Sequence, residues 1–134
     1  MRFSKTGKFF AIIMKHDSQT ANDDELHVFN SEDMNKCLDD IQNGKPLFKV
    51  SLNANQDGGA RIMKFDINDK YIAVASRTSI KIFSLEKNTI GKAEIEFNLN
   101  EEKHEYIVDM VLDSSKGNPY ECHIAAKYSS ITSI

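Results

Sequence analysis

The chain has 134 residues, enough for one ordinary domain and too short for two comfortable ones. Hydrophobic residues make up 40% and charged residues 28%, which permits a core and excludes a globally disordered chain. The formal net charge of −3 argues against a general polyanion binder, and no apolar run approaches the roughly 18 residues needed to span a bilayer.

The first elements are strands. Met1-Arg2-Phe3 alternates as at the end of a strand, Ser4 to Gly7 supplies turn chemistry, and Lys8 to Met14 is a nearly continuous apolar run. A long polar stretch, Lys15 to Asp24, leads to Glu25–Phe29, where Leu26 and Val28 point one way and His27 and Phe29 the other. The strand rhythm then breaks. Met34, Cys37, Leu38 and Ile41 fall at i, i+3, i+4 and i+7, which predicts one short amphipathic helix over about 31–43. Ser31 is its expected N-cap, Glu32 and Asp33 suit the positive helix start, and Gly44 suits the position just past its end. Pro46 to Leu52 returns to strand.

After a polar loop at 53–59, four strands are expected in close order: Ala60–Phe65, Lys70–Ser76, Ser79–Leu85 and Lys92–Phe97. In the last of them Ala93, Ile95 and Phe97 alternate with Lys92, Glu94 and Glu96, the pattern of a half-exposed outer strand. An acidic loop at 98–105 precedes strands at Tyr106–Leu112, Glu121–Ala126 and Ser129–Ile134. The expected class is therefore all-β, a single domain of four-stranded antiparallel units at about 1–52 and 60–98 and a partial third at about 106–134.

A cassette recurs in this order. Phe3-Ser4-Lys5-Thr6-Gly7-Lys8-Phe9-Phe10-Ala11, followed by Glu25-Leu26-His27-Val28-Phe29, returns as Phe65-Asp66-Ile67-Asn68-Asp69-Lys70-Tyr71-Ile72-Ala73, followed by Ser79-Ile80-Lys81-Ile82-Phe83. Tandem recurrence of one supersecondary unit is the mark of a repeat architecture. The phrases resemble a WD-repeat blade, with its "F-S-x-D-G-K", "Y-L-A-S-G-S" and "I-K-I-W-D" segments. The resemblance implies blades of a β-propeller, about two and three-quarters of them, and a non-catalytic scaffold subunit of a eukaryotic multiprotein complex.

This chain departs from the pattern. It has no tryptophan, so Phe29-Asn30 and Phe83-Ser84 stand where the Trp-Asp pair would be, and Arg77-Thr78 lacks the usual turn Asp. Propellers close with roughly 4–8 blades, so the resemblance implies a part of a longer propeller, a ring completed by other proteins pairing at the strand edges near Met1 and Ile134, or else a small open sheet protein. A second resemblance, of Ile124 to Ile134 to the "I-A-D-K-x-G-D-V-Y-S" stretch of tRNA-methyltransferase propeller subunits, implies support of an RNA-modifying enzyme instead. Ala126 and Ser129 replace its Asp and Gly.

Catalytic, cofactor and metal motifs are not found. Asp66 to Asp69 opens like a calcium loop, but Tyr71 and Arg77 occupy the sixth and twelfth positions, where Gly and Glu are needed. No P-loop frame or nucleophile elbow occurs. Cys37 and Cys122 form no CxxC pair; with no signal-like start and no glycosylation sequon, the expected setting is cytoplasmic or nuclear, not secreted. The expected contact residues for a protein partner are Met34, Cys37, Leu38 and Ile41 on the helix, and the acidic Asp23, Asp24, Glu101 and Glu102 in the loops.

Overall fold

The computed structural model describes residues 1–15, 24–52, 59–76, 79–98, 105–113 and 123–130. Among these residues ten strands and one helix follow in chain order: β1 (Arg2–Phe3), β2 (Phe9–Met14), β3 (Glu25–Asn30), α1 (Met34–Gln42), β4 (Phe48–Ser51), β5 (Ile62–Phe65), β6 (Tyr71–Ala75), β7 (Ser79–Ser84), β8 (Ala93–Asn98), β9 (Glu105–Asp113) and β10 (His123–Ser130). They form three antiparallel sheets: β1-β2-β3-β4, β5-β6-β7-β8, and the hairpin β9-β10. The fold is mostly β, with two four-stranded meanders as the unit of construction.

The two meanders share one register. Phe3 pairs with Phe10 as Phe65 pairs with Ile72, and Phe9 pairs with Asn30 as Tyr71 pairs with Ser84. Their first turns are hydrogen-bonded alike. Gly7 N–H donates to the Ser4 carbonyl as Asp69 N–H donates to that of Asp66, each at 3.0 Å. Gly7 and Asp69 both sit in the left-handed region, at φ 78° and 56°. Glycine adopts that conformation without penalty; Asp is among the few side chains that tolerate it.

The sheets stack face to face. The core between the first and second sheets holds Phe9, Ala11, Leu26 and Val28 against Ile72, Val74 and Phe83. The opposite face of the second sheet, with Tyr71, Ala73, Ile80 and Ile82, packs on Ile107, Met110 and Leu112 of the hairpin. Covered on both faces, β6 is buried at all five positions. That explains why Tyr71 to Ala75 reads as an unbroken apolar run and not as an alternating one. On the outer face of the first sheet, among the described residues, it is α1 that lies on Phe10 and Phe29.

Two polar ties join the first two sheets at their turns. The Thr6 hydroxyl donates to Asp69 Oδ2. Asp24 Oδ2 accepts from the Ala60 N–H at 3.0 Å, and the Asp24 carbonyl accepts from the Leu52 N–H at 2.9 Å. A Cβ at Gly59, where φ is +83°, would lie 2.7 Å from that same Asp24 oxygen, so glycine is needed for the close approach.

Three expectations are corrected. The helix is shorter than 31–43, and its N-cap is Asp33, not Ser31. In the third unit, residues 123–130 form one continuous strand instead of a break between Ala126 and Ser129; a bulge at Lys127/Tyr128, opposite Asp109 and Ile107, absorbs the irregularity. The strand β8 is more open than its alternation suggested, since Ile95 stays 39% exposed.

Candidate functional site

The helix α1 is anchored at both ends by local chemistry. Asp33 adopts extended backbone, and its Oδ1 accepts from the Asn35 and Lys36 N–H groups at 3.1 and 3.2 Å. This satisfies two of the donors a helix start leaves bare. At the far end the Lys45 N–H reaches the Asp40 carbonyl at 2.8 Å and the Gly44 N–H reaches that of Ile41 at 3.3 Å. Gly44 is at φ +64°, so the helix closes in a Schellman motif. Ser31 serves a different purpose. Its hydroxyl donates to the Gly7 carbonyl at 2.5 Å and its N–H to the Lys8 carbonyl at 2.8 Å, which fastens the helix approach to the first turn.

The predicted stripe divides along its length. Cys37 is buried against Phe10 and Phe29, and Ile41 packs at the margin of the same cluster with Ile12. Met34 and Leu38 turn outward, 47% and 57% exposed. The geometry follows from the helical period. Met34 and Leu38 lie about 40° apart on the helix wheel, Cys37 and Ile41 likewise, and the two pairs are offset from one another. The helix is rolled so that the Cys37–Ile41 side meets the sheet. Leu47, just before β4, is also 45% exposed. The result is a helix whose inner side is seated and whose adjacent apolar side is displayed.

Cys37 is not chemically poised. Burial pushes its thiol pKa up, and the Asp40 carboxylate adds to the shift. Both favour the protonated, unreactive thiol at neutral pH.

Asp24 is corrected from a surface residue to a structural one. It is 3% exposed, and its carboxylate binds the Ala60 N–H, where it holds the start of the second sheet. Sequence placed it in a polar loop because that N–H is far along the chain. Asp23, Glu101 and Glu102 lie outside the described residues, as do Cys122 and the tips at 16–23 and 53–58.

The Asp66 to Asp69 segment is a turn. Asp66 is fully buried and its Oδ2 accepts from the Lys70 N–H at 3.1 Å. Among the described residues no group of three or more His, Cys, Asp or Glu side chains is placed to hold a metal ion, and no helix is long and apolar enough to cross a membrane. Compared with family models, with curated proteins and with solved structures, the chain gives no match.

Proposed function

We propose that the chain is a non-catalytic protein-interaction scaffold, built of WD-like propeller blades and serving a multiprotein assembly. The observation that carries this reading is the displayed side of α1. Met34 and Leu38 stand exposed one turn apart on a helix held rigid by an N-cap, a Schellman motif and the Cys37 contact. An i, i+4 apolar pair on a preorganised helix is the form of anchor used in helix-in-groove recognition. The blade reading draws support from the two meanders, which share turn and register and stack face to face.

The test is affinity capture with the wild-type chain and with the double variant Met34→Asp, Leu38→Asp, its fold checked by melting temperature. Loss of a reproducible set of partners from the variant, at unchanged stability, is the expected result. Capture of the same set by both proteins would contradict the reading.

A further inference from the structure

The first strands of the three sheets, β1, β5 and β9, converge, and a cavity of about 260 Å³ opens beside them. It is lined by Arg2, Ile13, Arg61, Ile62, Lys64 and Asp109. Three of these side chains are cationic and one is anionic, in a chain whose overall charge is negative. Among the described residues Lys8 pairs with Glu32 and Lys64 with Asp109. The Lys64 Nζ lies 3.8 Å from Asp109 Oδ1. Arg2 and Arg61 belong to none of these pairs.

We infer that this cavity is a binding site for a phosphate dianion, free or as a monoester. Among the described residues the three cations at the cavity outnumber its one anion by two, an excess that a dianion matches and a single carboxylate does not. Arginine forks suit the tetrahedral oxyanion, because each can donate two parallel N–H bonds. The volume lies below the roughly 300–1,000 Å³ of pockets that enclose whole drug-sized ligands and is ample for a phosphate group. Met1, Ile13, Ile62 and Met63 form the apolar part of the wall. The Lys64–Asp109 pair bridges β5 and β9 and sets the third cation at the cavity. The site is independent of the displayed helix, which lies on the far face of the first sheet.

The test is a backbone-amide NMR titration of the full chain with inorganic phosphate, against sodium chloride at matched ionic strength. Saturable shifts confined to residues 2, 13, 61–64 and 109 are expected, weakened about tenfold or more by Arg61→Gln or Arg2→Gln. Both arginines are exposed, so their replacement leaves the fold intact. Asp109→Asn should tighten binding, because it removes the competing carboxylate. A parallel titration with O-phosphoserine separates the sources: tighter binding than inorganic phosphate assigns the site to a monoester, equal binding to the free ion. Shifts reproduced by chloride, or binding unchanged in both arginine variants, would overturn the inference.

Discussion

The two four-stranded sheets are the same object locally and different objects in context. Phe29 and Phe83 hold equivalent places on β3 and β7, and both are almost fully buried. Phe83 faces the first sheet; Phe29 faces α1, which touches the sheet through Cys37 and Ile41. The middle sheet is therefore clamped between two sheets. Among the described residues the first sheet has one face packed on a sheet and one face covered by the nine-residue helix α1. Beyond the reach of that helix, Phe3 and Met14 remain 50% and 46% exposed, and the Phe3 ring leans on Phe10 with centroids 4.6 Å apart. Register and turns are dictated by the cassette, whereas stability is dictated by what lies across the face.

The sharpest way to break this comparison is a matched pair of truncations. Phe83→Ala should cost about 3–5 kcal/mol, since the cavity opens against the first sheet, whose hydrogen-bonded strands cannot collapse into it. Phe29→Ala should cost about 3 kcal/mol or less, because a helix on an open face can settle inward. Urea unfolding of both variants measures the difference, and equal losses would remove the distinction between the faces. Next in size is Asp24→Ala, which leaves the buried Ala60 N–H without its acceptor and should cost about 1–3 kcal/mol by the same assay. Asp33→Ala removes the N-cap of α1 and should cost about 1 kcal/mol, seen as faster amide exchange at Asn35 and Lys36 with the middle sheet unaffected. Smallest is Glu32→Ala. Its 3.9 Å pair with Lys8 is more than half exposed on both sides, so thermal unfolding should shift by less than the equivalent of about 0.5 kcal/mol.

Most of the strand order and turn positions, and the presence of the helix, were legible because they rest on local signals. Alternation in Glu25 to Phe29, the turn residues Ser4 to Gly7 and the i, i+3, i+4, i+7 stripe each act within a few residues. What was hidden depended on distant partners. Ser31 and Asp33 are both good N-cap residues; Asp33 caps the helix, while the Ser31 hydroxyl points back to the Gly7 carbonyl. The roll of α1, which buries Cys37 and displays Leu38, is set by Phe10 and Phe29 and has no signature in the helix itself. Asp24 looked solvated because its partner at Ala60 lies across a long loop. The basic cavity did leave a trace: the residue before the cassette phenylalanine is cationic both times, Arg2 before Phe3 and Lys64 before Phe65. That trace carries no meaning until the first strands are known to converge.

Native-state hydrogen exchange, strand by strand, tests the central claim most directly. If double coverage of the middle sheet governs stability, the slowest amides belong to β6 and β7, at residues 71–75 and 80–84. Their counterparts in β2 and β3 then exchange faster, through openings that release α1. Equal protection in the two sheets, or slower exchange in β2 and β3 than in β6 and β7, would contradict the account.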